Sequence, residues 1–273
     1  MNSQPLNVAA EEGLLPPQQK ISFSELKIWN ECAFKHKLVY VDGIKNFTGN
    51  HYTAFGTALH HVCEVRVQQD ITDTEAEQLF KDKFIEELKI LEPASIDKKM
   101  SLEMVDQGKN LVKFILPELK KTFENFEVVS VEEQLFEGIT EFETDFNFKG
   151  FIDLVIKTPD GKYHIIDWKT CSWGWSRDKK SDPMTTYQLT YYKNYFSKKH
   201  NIDPKLIETH FALLKRTAKT NNVEIMRVTS GPKKVDNSLK VLQNAVINIE
   251  NKNYIKNRLN CKYCKFYKTE YCR

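Results

Sequence analysis

Two short segments decide the reading of this chain: Gly150-Phe151-Ile152-Asp153 and, beyond a turn at Pro159-Asp160-Gly161, Ile165-Ile166-Asp167-Trp168-Lys169. Both read as apolar strands, and each carries a carboxylate that such a strand rarely accepts alone, because desolvating a charge is costly without a partner. Pro159-Asp160-Gly161, taken as a three-residue hairpin loop, sets Thr158 opposite Lys162. Counting back along both strands then puts Asp153 opposite Asp167. Directly opposed residues share one face, with Cβ atoms about 4.5–5.5 Å apart. Lys169, two residues past Asp167, lies on that face too. Two acids and an ammonium thus converge where a hard divalent cation, Mg²⁺ or Mn²⁺, finds the oxygen ligands it prefers. Such an ion lowers the pKa of a water and polarises a phosphoryl oxygen, which a nearby lysine assists. The plainer alternative is a buried Asp–Lys ion pair with a second Asp at a turn.

Working outward, the period changes along the chain. Residues 1–20, rich in Pro, Gln, Asn and Glu, read as a flexible leader. A helix follows, capped by Ser22 or Ser24, with Phe23, Leu26, Trp29, Ala33 and Leu38 near one side. Gly43 and Gly49 bracket a loop, and a second helix begins near Ala54. Residues 74–91 and 100–125 read as amphipathic helices, with a kink at Pro117, and form a helical insertion over about 70–125. From 127 the period is two: strands at 127–136, 144–157 and 162–170, a helix at 185–200, strands at 208–216 and 222–229, and a last helix over 231–257. The expected fold is α/β, a central mixed β-sheet flanked by helices with an N-terminal helical region, in a single domain over 21–273 that ends in a Cys-rich tail.

The bulk properties constrain function loosely. A formal charge of +3 is too small to announce nucleic acid, so any basic surface must come from local clusters such as Lys179-Lys180, Lys198-Lys199, Lys215-Arg216 and 262–268. No apolar run is long enough to cross a membrane, and no basic start leads into an apolar stretch, so the expected location is cytoplasmic. Six cysteines without a secretory signal suit metal binding better than disulfides.

Gly150-Phe-Ile-Asp153 followed by Ile-Ile-Asp167-Trp-Lys169-Thr170 resembles the core of PD-(D/E)XK nucleases of the RecB-like branch, which includes bacterial recombination helicase–nucleases, CRISPR-associated exonucleases and phage exonucleases. Three further stretches agree. Phe55-Gly56-Thr57-Ala58-Leu59-His60 resembles the family's helix with a metal-binding histidine; His61 is adjacent, and Glu64 lies one turn on along the same face. Tyr187-Gln188-Leu189-Thr190-Tyr191-Tyr192 resembles the Gln-x-x-x-Tyr helix that borders the active site. The stretch Ile21 to Cys32, with Ala33 to Leu38 after it, resembles the opening helix of iron–sulfur members, whose other three cysteines lie at the C-terminus. Seven residues separate Cys264 from Cys272, where the family pattern has about five.

The resemblance implies a restriction-endonuclease-like core and a metal-dependent DNA exonuclease. Metal ligands would be His60, Asp153, Asp167 and the carbonyl of Trp168. Lys169 would position the attacking water, and Gln188 and Tyr192 would steady the scissile phosphate. Cys32, Cys261, Cys264 and Cys272 would hold a [4Fe–4S] cluster, and four thiolates equally suit Zn²⁺. Cys63 and Cys171 are left as packed thiols. The implied substrate is DNA, single-stranded or end-frayed, in recombination, repair or phage replication within a bacterial or phage-infected cell. A helicase or recombination protein would be a separate chain. Trp173 and Trp175 fit either base stacking or packing. The rival readings are a structure-selective endonuclease, a non-catalytic DNA-binding module of the same fold, and a zinc-stabilised binding protein.

Overall fold

The computed structural model describes residues 19–44 and 48–273, so the leader expected over 1–20 lies outside the described residues up to residue 18. Among the described residues a short strand, β1 (Lys20–Ser22), comes first, followed by the α-helices α1 (Phe23–Glu31), α2 (Ala33–His36), α3 (His51–Gln68), α4 (Asp73–Lys89), α5 (Lys98–Leu111) and α6 (Ile115–Phe123). Strands β2 (Glu127–Gly138), β3 (Asn147–Lys157) and β4 (Tyr163–Cys171) follow. Then come α7 (Arg177–Ser181), α8 (Pro183–His200), β5 (Ile207–Lys215), β6 (Val223–Val228) and α9 (Pro232–Glu250). The fold is the α/β arrangement expected: one mixed six-stranded sheet between two layers of helices.

The connectivity of β3 organises the molecule. β2 runs antiparallel along one of its edges, from Glu127↔Lys157 to Gly138↔Asn147. The other edge is shared. β4 pairs with its C-terminal half, from Leu154↔Ile166 to Lys157↔Tyr163, and β1 pairs in parallel with its first residues, Asn147 to Lys149. Residues 150–153 lie between these two neighbours. β4 continues in parallel to β5, and β5 is antiparallel to β6. The hairpin register is the one counted from the turn, because Thr158 N–H bonds to the Lys162 carbonyl and closes the loop.

Each face of the sheet buries its own core. α3 to α6 cover one with Phe55, Leu59, Phe80 and Phe84 packed on Leu154, Ile166, Trp168 and Leu214. α1, α8 and α9 cover the other with Leu26, Tyr191, Tyr195 and Leu242 on Phe148, Val155, Ile165 and Phe211. A buried side chain of this size contributes roughly 1.5–3 kcal/mol, so the two layers carry most of the stability.

Three helices end differently from expectation. The opening helix stops at Glu31, because Cys32 takes an extended conformation (φ −169°, ψ 115°). The helix expected over 100–125 breaks at a 3₁₀ turn, Val112–Phe114, upstream of Pro117. Proline has no N–H and its ring clashes with the carbonyl four residues back, here Lys113, so the disruption falls ahead of it. The last helix ends at Glu250 rather than 257. The side chains of Asn257 and Asn260 both donate to the Glu31 carbonyl, at 3.0 and 2.6 Å, and draw the following segment back to the end of α1.

Candidate active site

The site forms where β3 and β4 part, one pair beyond the last laddered pair, Leu154↔Ile166. Asp153 turns its carboxylate onto the next strand, and its Oδ2 accepts the Trp168 backbone N–H at 2.7 Å. Asp153 and Asp167 are 8% and 1% exposed, so both acids are withdrawn from water. Burial, then the charge of Asp167, hold the Asp153 carboxyl well above the usual carboxylate range. Asp167 forms an ion pair with the Lys169 ammonium. Its Oδ2 is nevertheless buried without a hydrogen bond of good geometry. That oxygen, paired with the Lys169 ammonium and beside a second buried acid, belongs to a carboxylate pair of the kind that suits a divalent cation.

Helices from both layers reach this point. α3 is firmly started: Asn50 accepts from the N–H groups of Tyr52 and Thr53, and Thr53 returns a bond, forming a capping box. It passes close over the end of β4, where a Cβ on Gly56 would lie 3.6 Å from Thr170 Oγ1. One turn on, His60 Nδ1 lies 3.6 Å from Asp153 Oδ2, while His61 turns to Glu64 at 3.7 Å. Desolvation lowers the His60 pKa, partly offset by Asp167, so the ring is held neutral as metal ligation requires. From the other layer, α8 brings Gln188, whose Nε2 donates to the Tyr192 hydroxyl at 3.1 Å. Burial, and next the charge of Asp167, raise the Tyr192 pKa, which keeps its hydroxyl a proton donor. Gly150 makes room for this ring: a Cβ there would stand 2.8 Å from Tyr192 Cε1.

One residue of the site escaped the sequence reading. Glu132 on β2 sits across from Asp153 on the edge of β3 opposite β4, and the β2–β3 ladder skips that pair. Its backbone is left-handed, φ 49°, a strained state for a residue other than glycine. Its carboxylate, His60 and Asp153 offer ligand atoms within 4.8 Å of one another. Desolvation and the neighbouring Glu64 push the Glu132 carboxyl up to about 7. Nothing in the sequence registers β2 on β3, because no tight turn joins them.

The remaining residues divide clearly. Cys32, Cys261, Cys264 and Cys272 line one cavity of about 410 Å³ between α1 and the C-terminal segment. The extended break at Cys32 turns its thiol there, where Sγ accepts the Asn257 N–H at 3.3 Å. Cys63 is fully buried and Cys171 partly so. Trp175 packs edge-on against Phe211 at 5.0 Å, whereas Trp173 is 75% exposed. The lysine clusters are mostly engaged: Lys180 and Lys215 with Glu224, Lys198 with Glu141, and Lys199 with Glu133. Among the described residues no helix is long and apolar enough to cross a membrane.

Comparison with known proteins agrees with this fold. A crystal structure of a "Putative exonuclease" from Eubacterium rectale superimposes with a TM-score of 0.58 at 13% identity, covering 96% of this chain and 92% of that one. At that identity the likeness establishes the fold alone. The structure of SSO0001 aligns over 89% of this chain and 93% of its own at 16% identity, but with a TM-score of only 0.36. No curated protein matches the sequence. Residues 20–273 match the family defined as the PD-(D/E)XK nuclease superfamily, and the chain belongs to that superfamily.

Proposed function

We propose that the protein is a metal-dependent DNA exonuclease of the RecB-like branch, acting on single-stranded or end-frayed DNA, with a structural iron–sulfur cluster. The observation that carries the catalytic part is the convergence of His60, Asp153 and the Asp167–Lys169 pair where β3 and β4 part. The donor set, one neutral imidazole and two buried carboxylates, suits Mg²⁺ or Mn²⁺. His60, Asp153, Asp167 and the Trp168 carbonyl would hold the ion, with Glu132 beside them. When bound, a divalent cation supplies charge for the phosphate and makes a water more acidic.

The chain's own residues do the rest. Lys169, released from Asp167, orients the attacking water and stabilises the growing negative charge on phosphate. Tyr192, held protonated, and Gln188 donate to the DNA backbone. Exposed Trp173 offers a face for an unpaired base, worth about 1–3 kcal/mol.

The four cysteines that line one cavity are the donor set for the [4Fe–4S] cluster, with Zn²⁺ as the alternative. Cys32, Cys261, Cys264 and Cys272 all line one cavity of about 410 Å³, where four thiolates could meet one metal centre. The cluster would join α1 to the C-terminus and brace the domain over 21–273.

Linear and covalently closed single-stranded DNA, offered side by side with Mg²⁺, test the exonuclease assignment. Degradation of the linear form alone supports it. Equal cutting of the circle makes the enzyme a structure-selective endonuclease instead.

A further inference from the structure

A second group of metal-ligating side chains lies away from the active site. His164 on β4 is beside Glu208 on β5, and His210 follows two residues later on β5, next to Ile166. Their ligand atoms all lie within 4.8 Å of one another. His164 differs from Asp167 by an odd number of residues, so on the strand it faces the opposite layer. There both imidazoles pack on Phe123 of α6, with ring centroids 4.8 and 5.1 Å away.

The hydrogen bonds around the group determine which atoms are available. The Thr158 hydroxyl donates to Asp160 Oδ1 at 2.5 Å, and so it accepts from His164 Nε2 at 3.0 Å. The proton of His164 is therefore on Nε2, and its Nδ1 accepts a hydrogen bond from His210 Nε2–H, 3.1 Å away, so ligation through His210 Nε2 moves that ring's proton to Nδ1. Glu208 is held by Lys162 at 3.3 Å and Arg227 at 3.1 Å, both at Oε1. A histidine whose far nitrogen is fixed by a hydroxyl, itself fixed by a carboxylate, has the outer support that metal-bound imidazoles use. Burial keeps both rings neutral, with the His210 pKa lowered to about 3.

We propose that His164 Nδ1, His210 Nε2 and the Glu208 carboxylate form a binding site for a borderline divalent cation, Zn²⁺ above all, separate from the active site and from the cysteine cavity. Two imidazole nitrogens and one carboxylate oxygen are a zinc donor set, and about 3 Å between the nitrogens is close to the separation of adjacent ligands in a tetrahedral site. A hard cation such as Mg²⁺ is poorly served by two imidazoles, so the two sites would sort metals by chemistry. The ion would tie β4 to β5 and, through Thr158 and Asp160, to the hairpin turn. That stiffens the base of the strands that carry Asp153 and Asp167.

The test uses the full-length protein with ¹⁵N-labelled histidine in excess Mg²⁺. Zn²⁺ is titrated in while the imidazole ¹⁵N resonances are recorded. The expected result is a large shift of His164 Nδ1 and His210 Nε2, and one zinc equivalent fewer retained by H210Q and by E208Q than by wild type. Zinc shifts that leave the His164 and His210 resonances in place would overturn the proposal and make the pair a hydrogen-bonded plug of the core. Should either variant fail to fold, the wild-type titration alone decides.

Discussion

Asp153 Oδ2 is bonded to the backbone N–H of Trp168, 2.7 Å away on the neighbouring strand. This single contact replaces the next rung of the β3–β4 ladder. The acid is thereby held at the mouth of a widening gap, between the helix that brings His60 and the helix that brings Tyr192.

Replacing Asp153 by Asn keeps the shape and removes a charge that burial and Asp167 both oppose. Without added cation, the melting temperature of D153N should equal or exceed that of wild type. Cleavage should fall by about 10³-fold, in the range expected for loss of a principal electrostatic group. The melting-temperature rise that Mn²⁺ gives the wild type should vanish. A D153N protein that is less stable in the metal-free state would mean the carboxylate serves the fold instead.

The raised pKa of Glu132 gives a pH dependence of definite sign. Its folded-state value, about 7, lies above the ordinary 4.5, so the folded protein holds a proton that the unfolded chain has released. That stability is complete below the unfolded pKa and is lost as pH rises through about 7. Metal-free wild type should therefore melt at lower temperature at pH 8 than at pH 6, and E132Q should flatten the slope. Melts at both pH values for the two proteins check this.

Two glycines separate packing from function. Gly150→Ala drives a Cβ to 2.8 Å from Tyr192 Cε1, and Gly108→Ala drives one to 1.9 Å from Phe80 Cε1. Alanine normally improves a helix interior by about 1 kcal/mol over glycine. G108A should nevertheless destabilise, since overpacking costs typically 1–3 kcal/mol or more. Its cleavage rate per folded molecule should be unchanged. G150A should lower that rate by displacing the Tyr192 ring. Denaturant melts and rates on the same preparations distinguish the two effects.

The cysteines give a further contrast. Cys32→Ser and Cys261→Ser should lose iron and melt at lower temperature, whereas Cys63→Ser, buried away from that cavity, should keep full iron content. Iron analysis and the visible absorption of anaerobically purified protein read this directly. Unchanged iron and melting in C261S would dispose of the cluster.

Much of this architecture could be read from the chain because its decisive contacts are local. Pro159-Asp160-Gly161 sets the hairpin register, and the register pairs Asp153 with Asp167 before any tertiary contact is known. The i, i+4 spacing of Gly56 and His60, and of Gln188 and Tyr192, placed each pair on one helical face. What stayed hidden depends on long-range packing. β1 is only three residues long and pairs with a strand more than a hundred positions away. Glu132 looked like any polar strand residue until β2 was laid on β3. The break at Cys32 and the early end of α9 follow from Asn257 and Asn260 reaching Glu31, a contact no periodicity announces. The two tryptophans after β4 looked alike in sequence, and only Phe211 decides that Trp175 packs while Trp173 does not.

The central claim is that the Asp153–Asp167–Lys169 cluster cuts DNA from an end. Its most direct test incubates anaerobically purified wild type and K169A with end-labelled linear single-stranded DNA and Mg²⁺ or Mn²⁺. Progressive shortening by wild type, reduced at least about 10²-fold in K169A, is the expected result, and the labelled end gives the polarity. Equal cleavage by both proteins, or none by wild type with its metals in place, would contradict the assignment of this site.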